Sequence, residues 1–257
     1  MLGDTQTVRG TAKKWNGFLL EPFDQGDWNE GIGRVMKEIP ESSQGICKSL
    51  AMNWVAHHAT EQTGSFAVLA RSSGRGSRRG GGNYTGVSMA LNQVAYGEAL
   101  DSATSPCRYE QAKDKFTDDF LRKKGIIRQM KITNPVENLS RAEIKKTPTT
   151  LGADIKFAKS LAASVVGVHA KNYWSYKIIS LHGCAGGHAV AAFIGADAVF
   201  FDPNYGIFYF EKVNDFKDWL GLPGGFYWTS KYFEYLGSDF VIKSYAPEVK
   251  FKASRVA

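Results

Sequence analysis

The stretch that decides the fold is Gly187-His188-Ala189-Val190-Ala191-Ala192-Phe193-Ile194-Gly195-Ala196-Asp197-Ala198-Val199-Phe200-Phe201-Asp202. It contains two short apolar runs, 188–194 and 198–202, which are rich in β-branched and aromatic residues and predict two strands. The residues between them, 195–197, have the length and glycine content of a three-residue hairpin loop. Two adjacent antiparallel strands are therefore predicted here.

The hairpin register decides whether His188 and Asp202 lie together. With a three-residue loop Ile194 pairs with Ala198, and Asp202 then lies two residues from the position opposite His188, on the same face. A two-residue loop would put the two side chains on opposite faces. A carboxylate beside an imidazole fixes its tautomer and supports the imidazolium, and Asn204 is the alternative orienting residue. Taken singly, the histidine also fits a hydrogen-bonded core residue, and the aspartate fits an Asx-type turn.

A candidate nucleophile precedes this hairpin by some 140 residues. In Gln44-Gly45-Ile46-Cys47-Lys48-Ser49-Leu50, Cys47 lies at the start of a predicted helix, 45–60. The partial positive charge of a helix N-terminus stabilises a thiolate, the nucleophilic form. A lone cysteine also fits a small buried hydrophobe. A nucleophile on a helix, with base and orienting residue on adjacent strands, is the arrangement of a papain-like site.

The rest of the chain predicts an α+β fold, in which a nucleophile-bearing helix packs on an antiparallel sheet that carries the histidine and the aspartate. Residues 1–43 are interpreted as a loosely ordered leader, a candidate secretion signal with one short helix at 33–38, and residues 44–257 as one domain. A proline-punctuated loop is predicted after Gly125. The other predicted helices are 87–100, 108–124, 154–166 and 214–220, and the other predicted strands are 173–181, 207–211 and 240–245.

Length and charge limit the classes of protein to which this chain can belong. The chain has 257 residues, a formal net charge of +7 and a pI of about 9.2. This length can bury a core without disulfides, and the total charge alone suggests an acidic partner. The distribution is uneven, because residues 122–159 carry +7, residues 62–97 carry +4 and residues 184–239 carry −4.

Several kinds of protein are disfavoured. No run of about 18 apolar residues is present, and residues 1–5 lack the segments of a cleavable secretory signal. Cys47, Cys107 and Cys184 form no disulfide framework and fit a reducing compartment. The glycine- and arginine-rich segment 72–82 lacks the motif of a phosphate loop and lacks interleaved aromatic residues, so nucleic-acid binding is not favoured. His182, Cys184 and His188 lack a second close cysteine pair, so no metal or other cofactor is predicted.

Three motifs, in order along the chain, resemble a known family. They are Gly45-Ile46-Cys47-Lys48-Ser49-Leu50 with Trp54 seven residues after the cysteine, Gly186-Gly187-His188-Ala189-Val190-Ala191, and Phe201-Asp202-Pro203-Asn204-Tyr205-Gly206-Ile207-Phe208. Together they resemble the YopT-type cysteine proteases, bacterial effectors of type III secretion and related toxin modules.

The resemblance implies a papain-like fold with Cys47 as nucleophile, His188 as general base and acid, and Asp202 as orienting residue. Papain-like sites place a Gln or Asn shortly before the nucleophile, and Gln44, only three positions upstream, is expected to stabilise the oxyanion with the Cys47 amide. Family members cleave host proteins, among them Rho-type GTPases with prenylated, polybasic C-termini and host kinases.

The charge pattern extends these expectations to partners. The acidic residues 184–239 would suit a basic substrate tail, which the resemblance implies could be prenylated. The basic regions, including Arg71, Arg75, Arg78 and Arg79, would suit an anionic membrane surface. The protein is expected to leave the bacterium without a cleavable signal and to act in the host cytoplasm or at the host membrane. Two alternatives stay open: the same three residues could serve deamidation, transglutamination or acyl transfer, or the domain could be a non-catalytic, basic membrane-binding module.

Overall fold

A computed structural model describes residues 2–26, 31–39, 46–60, 66, 86–102, 105–134, 151–167, 174–183, 186–222, 227–237 and 239–248. The helices in these ranges are α1 Leu2–Lys14, α2 Gly31–Glu38, α3 Cys47–Ala59, α4 Gly86–Asp101, α5 Pro106–Arg122, α6 Leu151–Gly167, α7 Val213–Gly221 and α8 Tyr227–Leu236. The strands are β1 Gly17–Pro22, β2 Ile126–Asn134, β3 Ser175–Gly183, β4 Gly186–Ile194, β5 Ala198–Asp202, β6 Gly206–Phe210 and β7 Asp239–Pro247.

The strands form one antiparallel sheet in the order β1-β6-β5-β4-β3-β7-β2. Its centre is the predicted hairpin, and Ile194 pairs with Ala198 across the three-residue loop as expected. The predicted α+β class is confirmed. At the far end of β5 a turn leads to Gly206, which has a φ of +122°, and a Cβ there would lie 2.2 Å from the Glu21 carbonyl oxygen. Only glycine therefore fits where β1 closes over this turn.

Helices cover both faces of the sheet. Ala189 and Ala191 of β4 face a core that contains α3, whereas Val190 and Ala192 face a second core built with α6, α7 and α8. This alternation follows from the two-residue period of a strand. The ten residues from Lys48 to His57 of α3 are all buried, because the helix is enclosed by the sheet and by its helical neighbours.

Three sequence-based expectations differ from the structure. Residues 1–43, expected to be loosely ordered, contain α1, β1 and α2, and β1 pairs with β6 as an edge strand. A strand, β2, follows Gly125 in place of the expected loop, and α8 was not predicted. Both edge strands leave large apolar side chains exposed, Phe18 and Leu20 in β1 and Met130 in β2, so neither has the clean alternation that identifies a half-buried strand.

Ion pairs connect α5 to the sheet. Asp114 contacts Lys243 at 2.6 Å, Lys131 at 2.9 Å and Arg128 at 3.2 Å, and Asp118 contacts Arg128 at 3.1 Å. We call these five residues the Asp114 cluster. In the described part of the chain, no helix is long and apolar enough to cross a membrane.

Candidate active site

The start of β4 and the end of β5 bring His188 and Asp202 into contact. His188 Nε2 lies 2.9 Å from Asp202 Oδ1, and both side chains are buried. The observed ladder runs from Ile194–Ala198 to Ala191–Phe201, so the two residues lie just beyond it, where the turn after β5 begins. The predicted placement of the two side chains on one face is therefore confirmed.

Asp202 is fully buried and accepts four hydrogen bonds. Oδ1 accepts from His188 and, at 2.8 Å, from the backbone N–H of Asn204. Oδ2 accepts from the indole N–H of Trp228 at 2.5 Å and from the hydroxyl of Tyr232 at 2.9 Å. The bond to Asn204 is an Asx-type turn, so the same carboxylate closes the turn and holds the histidine. Four donors hold this buried carboxylate in one orientation.

Tyr232 of α8 contacts both members of this pair. Its ring stacks on the His188 imidazole with centroids 4.7 Å apart and an interplanar angle of 7°, while its hydroxyl donates to Asp202 and accepts from Asn204 Nδ2 at 2.8 Å. Asn204 Oδ1 in turn accepts from the Gln25 amide at 2.8 Å. A connected set of side chains therefore holds the imidazole plane.

Cys47 is the first residue of α3. The adjacent turn is tied to α4: the N–H of Ser49 donates to Gln93 Oε1 at 3.2 Å, and the Ser49 hydroxyl donates to the Met89 carbonyl at 2.6 Å. Trp54, two turns later, stacks on Phe201 of β5 at 5.9 Å and 17°. The helix is thus anchored to the strand that precedes Asp202, which fixes where its N-terminus points.

Cys47 and His188 form a hydrogen-bonded pair across the end of the sheet. Because Nε2 of the histidine faces Asp202, Nδ1 is the nitrogen left for the thiol. Burial acts to raise the pKa of Cys47, but His188, the Ala189 backbone N–H and Lys48 together lower it below its ordinary value. Burial acts to lower the pKa of His188, but the Asp202 carboxylate and the Cys47 thiolate raise it to about 10. The two shifts are reciprocal, because a thiolate and an imidazolium in contact each stabilise the charged form of the other.

Lys48 is a buried cation directly after the thiol. Burial is the main cause that lowers its pKa, to about 7, and Lys243 of the Asp114 cluster lowers it further. Its positive charge acts to lower the pKa of Cys47. Lys48 therefore links the two charged groups electrostatically.

The structure brings together three of the five residues that the sequence singled out. Cys47, His188 and Asp202 form one contact chain, whereas Asn204 contacts the carboxylate and Tyr232 and supports the orienting residue instead of replacing it. Gln44, Cys184 and the four arginines between 71 and 79 lie outside the described residues.

Two residues that complete the site were missed by the sequence reasoning. Trp228 and Tyr232 are four positions apart, on one face of α8, and both donate to Asp202. Their spacing in Tyr227-Trp228-Thr229-Ser230-Lys231-Tyr232 is that of an aromatic helical face, which could have predicted the helix. Nothing in the local sequence indicates that this face covers a carboxylate.

Comparison with known proteins identifies the family to which this chain belongs. The model of the peptidase C58 family, described as Yersinia/Haemophilus virulence surface antigen, matches residues 26–226. The cysteine protease YopT of Yersinia pestis is 25% identical over 233 residues, which are 90% of this chain and 64% of that protein. The protein adenylyltransferase and cysteine protease IbpA of Histophilus somni is 24% identical over 220 residues, 83% of this chain but 5% of that protein.

The chain spans between about half and two thirds of the YopT relatives that it matches. Among solved structures, the Pseudomonas avirulence protein AvrPphB superposes with a TM-score of 0.52 at 15% identity, and the match covers 80% of this chain and 94% of that one. This likeness supports the papain-like fold. The match to the family model covers most of the chain, and the chain belongs to the YopT-type peptidase C58 family.

Proposed function

We propose that this protein is a cysteine protease in which Cys47 is the nucleophile, His188 the general base and acid, and Asp202 the orienting residue. One observation carries the proposal: the His188 imidazole lies between the thiol at the N-terminus of α3 and the fully buried Asp202 carboxylate. Its Nε2 atom is 2.9 Å from Asp202 Oδ1. The paired imidazole favours the thiolate form of Cys47, and a carboxylate held by four donors keeps the histidine oriented and favours its charged form.

In the acylation step the Cys47 thiolate attacks the carbonyl carbon of the scissile peptide bond. The C–N bond breaks, the amine leaves with the proton of the His188 imidazolium, and a thioester remains on Cys47. In the second step His188 takes a proton from water, and the hydroxide attacks the thioester carbonyl. The C–S bond breaks, and the thiolate–imidazolium pair forms again with release of the carboxylic acid.

The negative oxygen formed in both steps needs donors. The backbone N–H of Cys47 at the start of α3 is one candidate, and the side chain of Gln44 is the second. Gln44→Ala is expected to lower kcat about 100-fold with a smaller change in KM, because an oxyanion donor acts chiefly in the transition state.

We propose further that the protein acts in a host cell as a secreted bacterial effector. The support is the family description as a virulence antigen and the Yersinia relatives named as cysteine proteases. A basic or prenylated tail is the proposed substrate class. Among the acids of residues 184–239, Asp197 and Glu211 lie at the sheet end opposite His188, so a basic tail would rely on the exposed Glu234 and Asp239.

An anionic membrane surface is the proposed location of the substrate. Arg128 and Lys131 of the basic region are engaged in the Asp114 cluster, and we propose that the arginines of residues 71–79 contribute to membrane attraction. Charge reversal at Arg75, Arg78 and Arg79 is expected to abolish binding to vesicles that contain phosphatidylserine. Unchanged binding would rule out this role.

The same acyl-enzyme could serve deamidation, transglutamination or acyl transfer, because the three residues determine the thioester and not its acceptor. Mass spectrometry of host proteins treated with the purified protein separates these reactions. Proteolysis creates new N-termini, deamidation adds about 1 Da at a glutamine, and transglutamination produces cross-links. We expect new N-termini.

Cys47→Ala should remove these new N-termini completely, and Cys107→Ala and Cys184→Ala serve as matched controls that should retain them. New termini that persist in Cys47→Ala would contradict the catalytic proposal and favour a non-catalytic binding module. Mass changes of about 1 Da or cross-links without new termini would instead assign one of the other acyl-transfer reactions.

A further inference from the structure

A cleft of about 440 Å³ opens beside His188. Its described lining comes from the start of β4, the turn after β5, one face of α8 and Gln25 after β1, and it includes His188, Asn204, Lys231, Tyr232, Tyr235 and Leu236. The volume is sufficient for one large side chain together with its backbone. The cleft therefore has the size of a subsite and lies against the imidazole.

The walls of the cleft are mainly apolar. The Tyr232 ring, stacked on His188, forms one wall, Leu236 is half-buried, and Tyr235 projects from α8 with 65% of its surface exposed. Apart from the histidine, Lys231 is the one charged residue in the described lining, and no carboxylate is among these residues. Such a cleft gains free energy from burying an apolar group, and its described lining has no carboxylate to bind a cation.

The position of the cleft indicates which part of a substrate it would contact. The imidazolium protonates the departing amine, so the residue on the C-terminal side of the scissile bond must lie on the histidine side of the site. The cleft borders His188, and its described lining contains no residue of α3. It therefore lies on the side of the leaving group.

We infer that this cleft is the leaving-group subsite, and that it selects a large apolar side chain, aromatic or branched aliphatic, over a basic one directly after the scissile bond. The inference rests on the proposed acyl-enzyme at Cys47 and adds the chemistry of the residue that the enzyme releases. Tyr235 and Leu236 determine this specificity, and the described lining offers no carboxylate to a lysine or an arginine.

Partition of an acetyl-enzyme between water and added amines tests the subsite without a known protein substrate. The Cys47 thiolate attacks p-nitrophenyl acetate, p-nitrophenolate leaves, and an acetyl thioester remains. The amine of an amino-acid amide then attacks the thioester, the C–N bond forms, the C–S bond breaks, and the amine proton passes to His188. An amine that occupies the cleft competes with water in proportion to its affinity.

We expect leucine amide and phenylalanine amide to be acetylated about tenfold more efficiently, per mole of amine, than glycine amide. Lysine amide should be no better than glycine amide. Leu236→Ser and the exposed Tyr235→Ser should each reduce the leucine-to-glycine ratio to within about threefold. Leu20→Ala removes a residue that is 49% exposed on β1, and this matched control should keep the full ratio.

The outcomes separate the two proposals. A Cys47-dependent acetyl-enzyme with equal use of leucine, lysine and glycine amides would overturn the subsite and leave the protease proposal intact. A preference that persists in both Leu236→Ser and Tyr235→Ser would also overturn the assignment to this cleft. Absence of a Cys47-dependent acetyl-enzyme would overturn the proposed function and the subsite with it.

Discussion

The molecule contains two clusters of charged side chains that each connect a helix to the sheet and that do different things. The Asp114 cluster joins α5 to β2 and β7, and the candidate active site joins α3 to β4 and β5. In the Asp114 cluster every partner is a carboxylate or a strong base, and the nearby lysines lower the pKa of Asp114 despite the opposing effect of burial. These carboxylates and bases neutralise one another, and their protonation states do not change near neutral pH.

In the candidate active site, by contrast, the series of contacts from Asp202 through His188 ends at the thiol of Cys47. Asp202 accepts hydrogen bonds from four donors. The second nitrogen of His188 is left for Cys47, and the proton of this pair can reside on the cysteine sulfur or on the imidazole nitrogen. The difference teaches that pairing of opposite charges alone creates a structural connection. Reactivity arises where a buried pair includes a group whose ordinary pKa lies near the working pH.

The same substitution of aspartate by asparagine in both clusters tests this difference with the largest expected effect. Asp202→Asn replaces a charge acceptor that four donors surround, so the pKa of His188 should fall and the thiolate should lose its partner. We expect the turnover of p-nitrophenyl acetate to fall by about three orders of magnitude. Asp114→Asn should leave turnover within about threefold.

The free energy of unfolding should respond in the Asp114 cluster for a different reason. Lys243 is only 4% exposed, and Asp114→Asn leaves its charge without its nearest carboxylate, at a cost of about 1–3 kcal/mol in urea unfolding. Equal losses of turnover in the two variants would contradict the division between a reactive and a structural group.

A second, smaller effect separates the two contacts of Tyr232. Tyr232→Phe keeps the ring on the imidazole but removes the hydroxyl donor of Asp202, so the carboxylate should attract the His188 proton more strongly and raise its pKa. Tyr232→Leu also removes the stacked ring and should lower the pKa of His188 by about 0.5–1 unit relative to Tyr232→Phe. The alkaline limb of Cys47 alkylation by iodoacetamide measures both shifts, and identical shifts in the two variants would argue for loose packing as the cause.

The smallest expected effect concerns Lys48, which links the two groups. Lys48→Met should move the acid limb of Cys47 alkylation to higher pH by about 0.3 unit, because one cation near the thiolate is lost. The pKa of Lys48 is about 7, so the rate above about pH 8 should not change. Lys115→Met, which removes an exposed lysine on α5, is the matched control and should leave both limbs unchanged.

The sequence predicted the part of the site that is encoded locally. The loop 195–197 sets the register of β4 and β5, and register alone places His188 and Asp202 on one face. Cys47 could be identified because its position at a helix start has a direct chemical consequence. The family resemblance then joined the two segments.

The missed parts depend on contacts between distant segments. The edge strand β1 is stabilised by pairing with β6, nearly 190 residues later, and leaves Phe18 and Leu20 exposed. The role of α8 depends on Trp228 and Tyr232 reaching a carboxylate on β5. Neither partner can be found from local periodicity, which reports only which face of an element is apolar.

His188 is proposed to hold Cys47 as a thiolate, and the pH dependence of Cys47 alkylation tests this pairing most directly. Iodoacetamide labelling at several pH values, followed by mass spectrometry of the three cysteine peptides, measures each thiol separately. The rate at Cys47 should rise with pH below the ordinary cysteine pKa and stay level until the imidazolium loses its proton near pH 10. In His188→Asn the pKa of Cys47 should rise to the ordinary value of about 8.5 or above it, because the imidazolium no longer offsets burial. A wild-type Cys47 that already titrates there would contradict the proposed pairing.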